Sequence, residues 1–379
     1  MKKKWVCLIL AAAMTVTMTS CLGSTQQTTQ TPSSAQANGA TESQTQSEVI
    51  EIPKPDAKSG AKIIRFASNL TTSEYGISPT GIALKCIVDE VNEKSGGKML
   101  IDLYPGSQLA SKNDQIIGGL QTGAFEMTNH ATGNWGDYTS AFAALNVPYL
   151  YKSNEVVHEI LDGIVGGHMA EKCLEDTGAT ILGYIEIGMR HMTNSKKEIR
   201  SPKDIAGLKM RVMSDPIQIA AMEALGGSVV SVAYSELFTA LQQRLVDGQE
   251  NPLNNINSQK FYEVQKYLTL TGHGITESVI VINHDYFESL TEEEQKILKE
   301  ACEDATKASR TACQEQQDSL LEKMKEKGMQ VAELENDEKQ QFIDAVKGSW
   351  TLVEENMGKE AYDELLSEVD RIEKQLNLQ

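Results

Sequence analysis

Residues 208–251 constrain the fold more tightly than any other part of the chain. "LKMRVM" (208–213) and "SVVSVA" (228–233) read as short strands, and "DGQEN" (247–251) reads as a third. Between the first two, Asp215 and Pro216 open a helix that carries Ile217, Ala221 and Leu225 and that Gly226 closes. Between the second and third, Ser235 caps a helix with Leu237, Leu241 and Leu245 on one face, and Gly248 follows. A β-α-β-α-β run of this kind makes a parallel sheet with right-handed crossovers. Ligands of such sheets bind beyond the carboxyl ends of the strands. Arg211, Tyr234 and Asn251 fall at or near those ends. The polar stretch "VDGQENPLNN" (246–255) is therefore read as a strand entering a site rather than as a surface turn.

The preceding half alternates in the same way. "AKIIRFAS" (61–68), "KMLIDLYP" (98–105) and "FEMTNHA" (125–131) read as strands. The helices between them are "PTGIALKCIVDEVNEKSGG" (79–97) and "NDQIIGGLQTG" (113–123). "ILGYIEIGMRHMTNS" (181–195) alternates as a strand, placing Glu186, Gly188 and Arg190 on one face. After the central unit, "YLTLTGHGITESVIVIN" (267–283) is a long extended run returning toward the first half. Residues 291–327 contain neither Pro nor Gly and predict a helix about 55 Å long, enough to bridge two domains.

The chain begins outside this pattern. Lys2, Lys3 and Lys4 precede a short apolar run, followed by "TMTSC" (17–21). That is the layout of an export signal over residues 1–20. "MTSC" is similar to a bacterial lipobox, with Met18 where Leu is usual, and makes Cys21 the expected lipidated residue. Residues 21–60 are rich in Ser, Thr and Gln and read as a flexible tether that leaves membrane contact to the lipid alone. The 35 basic and 53 acidic residues give a net charge of −18, which argues against a nucleic-acid partner. Cys86, Cys173, Cys302 and Cys313 form no CxxC or Cys/His cluster and read as buried thiols, so neither a metal nor a cofactor is expected.

Catalytic signatures are scarce. The sequence holds no G-x-S-x-G, H-E-x-x-H or G-x-x-x-x-G-K-[ST]. His158 and His168 sit on an expected helix without an evident partner. The arginines say more. Arg190 and Arg211 lie in otherwise apolar strands, where a lone guanidinium is costly. Each needs an acid, such as Glu186 for Arg190, or an anionic ligand held by the guanidinium fork.

Several blocks resemble, in order, the substrate-binding proteins of TRAP (tripartite ATP-independent periplasmic) transporters. They are "LYPGSQL", "GLQTGAFEM", "NVPYLY", "GYIEIGMRHMTNS", "SPKDIAGLKMRVM", "YSELFTALQQRLVDGQENPLNNI" and "KFYEVQKYLTLTGH". The resemblance covers 61–379. It implies an α/β, two-lobed periplasmic-binding-protein-like fold with crossing strands and a long lobe-bridging helix. Lobe I would comprise 61–187 with 277–316, and lobe II 188–276 with 317–379. It further implies no enzyme but capture of a small organic acid for the transporter's membrane subunits. Arg211 would form the main ion pair with the solute carboxylate, Arg190 a second cationic contact, and Asn251 a hydrogen bond, with Tyr234 lining the pocket. From lobe I, Asn69 and the stretch around Asn129, His130 and Thr132 would read hydroxyls. "GGSVVSVAY" (226–234) departs from the family in lacking two prolines before the aromatic. These neutral groups favour a sugar acid, a uronate or aldonate, over a C4-dicarboxylate. The competing readings are a ligand-sensing partner of a membrane receptor and a secreted hydrolase or lyase. Strand alternation is expected to turn Glu250 away from the solute, so that Glu250→Gln changes binding little.

Overall fold

The computed structural model describes residues 50–56 and 60–378. The expected signal segment, Cys21 and most of the tether lie outside the described residues. The first half runs β1 (Lys62–Ala67), α1 (Pro79–Lys94), β2 (Met99–Tyr104), α2 (Asn113–Gln121), β3 (Met127–Ala131), α3 (Asn154–Asp162) and α4 (Ile164–Thr177). Ser78 accepts from the Gly81 amide and Pro79 takes the first turn of α1, where its missing N–H costs nothing.

The next element is β4 (Ala179–Asn194), sixteen residues long. After it come α5 (Pro202–Ile205), β5 (Lys209–Val212), α6 (Pro216–Ala224), β6 (Ser228–Ser231), α7 (Leu237–Gln242), β7 (Gly248–Pro252) and α8 (Leu253–Ser258). Strands β5, β6 and β7 are parallel, with β5 in the middle, as the pattern predicts. Asp215 caps α6 through the Ile217 and Gln218 amides. Leu245 does not share the buried face of Leu237 and Leu241. Helix α7 ends at Gln242, Arg244 takes a left-handed conformation, and Leu245 is left exposed.

The chain closes with β8 (Tyr267–Leu270), β9 (Ile275–Asn283), α9 (His284–Glu288), α10 (Glu292–Glu326), β10 (Gln330–Glu333), α11 (Asn336–Val346), α12 (Trp350–Met357) and α13 (Lys359–Gln375). The extended run at 267–283 is thus two strands with a break at 271–274. The sheet order is β2-β1-β3-β9-β4-β7-β5-β6, with β8 beside β4 and β10 beside β8. Strand β4 joins both halves. Residues 179–189 pair with β9, and residues 190–194 pair with β7. Register shifts between Ile181 and Gly183 and between Glu186 and Gly188 mark where β4 bends. The second shift breaks strict alternation, so Glu186 and Arg190 do not meet as a same-face pair.

Helix α10 buries Ile297, Leu298, Ala301, Cys302 and Ala305 in the core of β1, β2 and α1. Its last turns bury Leu320 and Met324 in a second core with α7, α8 and β8. At 35 residues it spans about 52 Å, so bridging is what it does. Thr291 and Glu294 form a capping box at its start. Thr306 and Ser309 accept from the β4 amides of Tyr184 and Glu186, both at 3.1 Å. The last helix, grouped with lobe II from the sequence, also has contacts with the first half. Tyr362, Leu365, Val369 and Ile372 of α13 pack on α3 and α4 of the first half, because the amphipathic face of α3 needs a cover. Cys173, Cys302 and Cys313 are buried free thiols, whereas Cys86 is only half-buried. No described helix is long and apolar enough to cross a membrane.

The contact between α10 and β4 leaves no room for a side chain at Gly183, where a Cβ would lie 2.7 Å from Thr306 Oγ1 and 3.0 Å from the Cys302 carbonyl. Gly183→Val should lower stability by about 1–3 kcal/mol through overpacking. Thermal denaturation would read this, and an unchanged Tm would mean α10 does not sit flush on the strand.

Candidate functional site

A cavity lies where β4 and β9 meet the carboxyl ends of β5 and β7. Arg211, Arg190, Asn251, Tyr234 and Asn69 all line it, so the structure brings together five of the seven residues expected from sequence.

Arg211 is the cation of this cavity. Strand β5 places it on a buried face, with 2% of its surface exposed. Its Nε donates to the Val232 carbonyl at 3.0 Å, which orients the guanidinium fork. Among the described residues no carboxylate forms an ion pair with it. Burial pushes the guanidinium down to about 10, with the Arg190 charge acting in the same direction and Glu250 opposing. An anion would remove that penalty.

Arg190 is differently placed. It forms a buried two-pronged pair with Glu250, donating Nε to one carboxylate oxygen and Nη2 to the other, the latter at 2.7 Å. Nη1 donates to Thr276 Oγ1. His273 Nε2 reaches Glu250 Oε2 at 3.0 Å. The acid partner of Arg190 is therefore Glu250 and not Glu186, because the bend at Gly188 carries Arg190 over to β7. Burial pushes the Glu250 carboxyl up, but the Arg190 charge and the bonds from His273 and Arg190 outweigh it and hold it near 2.

Asn251 and Glu250 face opposite sides of β7, as alternation predicts. Asn251 lines the polar cavity. Glu250 lines a mainly apolar chamber with Tyr149, Met222 and Ile275. The Asn251 amide donates to Gln249 Oε1, and its oxygen accepts from Asn255 Nδ2 at 3.0 Å. Tyr234 stands edge-on to Phe261, with ring centroids 6.5 Å apart. Its hydroxyl is raised by burial.

His130 and Thr132 do not line the cavity. Along β3 the residues facing it are Asn129 and Ala131, so His130 points to the other side. There its Nε2 meets Asn113 Oδ1 at 3.1 Å, and burial pushes the imidazole down to about 4. Thr132 borders a separate small cavity beside Asp215. Sequence reasoning also missed Glu74, Thr80, Asn134, Asn255, Thr276 and Ser278. The two-residue period of β3 and the four-residue step from Asn251 to Asn255 were the available signals. Asn129 donates to Ser278 Oγ at 3.2 Å and leaves its Oδ1 buried without a partner. Glu74 holds the Thr71 amide and hydroxyl through Oε2.

The Arg190–Glu250 pair changes what Glu250→Gln should do. Removing one partner of a buried pair costs about 3–5 kcal/mol, so the substitution should strongly destabilise the fold, apart from its expected small effect on binding. The wild-type carboxyl, lowered on folding, contributes stability that is complete above its ordinary value of 4.5 and fades as pH falls toward 2. This amounts to about 3 kcal/mol. Denaturant melts between pH 7 and 2.5 should show that loss in wild type and its absence in the variant.

Comparison with known proteins identifies the family. Residues 72–356 match the family described as DctP, bacterial extracellular solute-binding protein, family 7. A solute-binding protein of Verminephrobacter eiseniae is 32% identical over 299 residues, covering 79% of this chain and 88% of its own. The 2,3-diketo-L-gulonate-binding periplasmic protein YiaO of Escherichia coli is 34% identical over 250 residues, 66% of this chain and 76% of its own. Among solved structures, the sugar acid binding protein DctPAm of Advenella mimigardefordensis, in complex with galactonate, superposes with a TM-score of 0.77 at 32% identity. It covers 82% of this chain and 98% of that one. The fold is that of two-lobed periplasmic binding proteins, and the family comprises binding proteins rather than enzymes. The chain belongs to the bacterial extracellular solute-binding proteins of family 7, the small-organic-acid receptors of TRAP transporters.

Proposed function

We propose that this protein captures a sugar acid, a monocarboxylate carrying several hydroxyls, in preference to a C4-dicarboxylate. The observation that carries this reading is the charge inventory of the cavity. Arg211 is the one lining cation without an acid among the described residues, since Glu250 already neutralises Arg190. One carboxylate therefore has a partner. A second would meet neutral amides and hydroxyls and the Glu74 carboxylate. Sugar hydroxyls, by contrast, can donate to the unpartnered Asn129 Oδ1 and to Glu74.

In this reading Arg211 forks the solute carboxylate, and Asn251, Asn69 and Asn129 hydrogen-bond its hydroxyls. Tyr234 packs on its carbon chain. Arg190 presents an edge clamped by Glu250. His130 and Thr132 take no part. The diketogulonate and galactonate ligands of the relatives support the assignment. The loaded protein hands its solute to the membrane subunits of a TRAP transporter. Lipid attachment at Cys21 would keep it at the membrane surface, with no other membrane contact.

Arg211→Ala should weaken solute binding by about 3–5 kcal/mol, because the buried carboxylate loses its partner. Arg211→Lys should restore only part, since an ammonium cannot form the fork. Calorimetry would follow a thermal-shift panel of galactonate, glucuronate, succinate and malate. A larger shift with succinate or malate than with any sugar acid refutes the preference. Binding by Arg211→Ala within threefold of wild type would place the anion elsewhere.

For the anchor, cells fed an alkyne-tagged fatty acid should label the wild-type protein and not Cys21→Ser. Equal labelling of the two would exclude Cys21 as the attachment point.

A further inference from the structure

On the opposite side of the β4–β9 crossing from the solute cavity lies a cluster that nothing above uses. Glu186 and Glu277 are cross-strand partners, and each is 2% exposed. His158 of α3 brings its Nε2 to 2.6 Å from Glu186 Oε2. One donor atom from each of the three lies within 4.8 Å of the others. The Asn154 amide donates to the second oxygen of Glu186. Glu277 Oε1 is buried and has no hydrogen-bond partner. Among the described residues no ion pair reaches Glu277. The nearby Arg310 gives both arms of its guanidinium to Asp162, at 2.6 and 2.9 Å.

Two carboxylates in one buried site repel each other and lose hydration together. A cation between the acids removes both penalties at once. The donor set decides which cation. One imidazole nitrogen and two carboxylates suit Zn²⁺ or Mn²⁺, whereas Ca²⁺ and Mg²⁺ take oxygen ligands. His158 keeps 20% of its side chain exposed, which gives an ion a route in.

We infer that His158, Glu186 and Glu277 form a binding site for a divalent first-row transition metal ion, which braces the β4–β9 crossing from behind. The site adjoins the bend of β4 between Glu186 and Gly188. The neighbouring residues Ile187, Thr276 and Ser278 face the solute cavity. A bound ion ties α3 to both crossing strands at the point where the cavity floor is made.

The test uses untagged, chelator-treated full-length protein with Zn²⁺ and Mn²⁺ as separate probes, read by calorimetry and thermal shift without solute. Wild type should bind one equivalent of at least one ion and melt higher with it. Glu277→Gln and His158→Gln should each weaken that binding at least about tenfold. Cys86→Ser should leave it unchanged, since the half-buried thiol lies elsewhere. Failure of wild type to bind either ion saturably overturns the proposal, as does binding that survives both variants. A Glu277→Gln protein that is more stable than metal-free wild type, with no ion bound by either, would identify the pair as two acids sharing a proton. Because the readout is metal binding without solute, it stands or falls apart from the sugar-acid assignment.

Discussion

The pairing of Arg190 with Glu250 fixes both the chemistry and the geometry of the site. It joins β4 to β7 through two side-chain contacts in a place from which water is excluded, where such bonds are strongest. Because it closes on itself, with His273 as a third member, it adds almost no net charge to the cavity. The remaining guanidinium, Arg211, lines the cavity with no carboxylate paired to it among the described residues. Were Arg190 unpaired, two like charges would sit side by side in a buried site and each would destabilise the other. The proposed selectivity for a single carboxylate would thus begin with a contact made inside the protein.

Much of this was legible in the sequence because it depends on local rules. The β-α-β-α-β unit over 208–251 carries its caps, glycine stops and apolar faces in plain order, and the strands appear where the pattern puts them. The separation of Glu250 from Asn251 needed only the two-residue period of a strand. The long helix was readable from the absence of Pro and Gly over 291–327. The block resemblance pointed to Arg211 and Asn251, which no spacing rule yields and which both line the cavity; their roles toward a solute are proposals.

What was not legible depends on register and on distant partners. The bend at Gly188, whose φ is +118°, sends Arg190 to Glu250 instead of Glu186. No period in the sequence announces it. His130 was displaced from the site by a one-residue error on β3, which turns a side chain to the opposite face. His158 has no neighbour in sequence that would reveal Glu186, because the two meet only when α3 folds over the sheet. The α13 face that packs on α3 is likewise amphipathic in sequence but mute about its destination.

Helix α10 carries a consequence for how the molecule comes apart. Its first turns are buried in one hydrophobic core and its last turns in another, with no Gly or Pro between them at which to break. Helix propagation is cooperative. Loosening either core strips the helix of one set of anchors and weakens its hold on the other. The two halves, though each has its own strands and its own apolar interior, are thereby made to melt together as one thermodynamic unit.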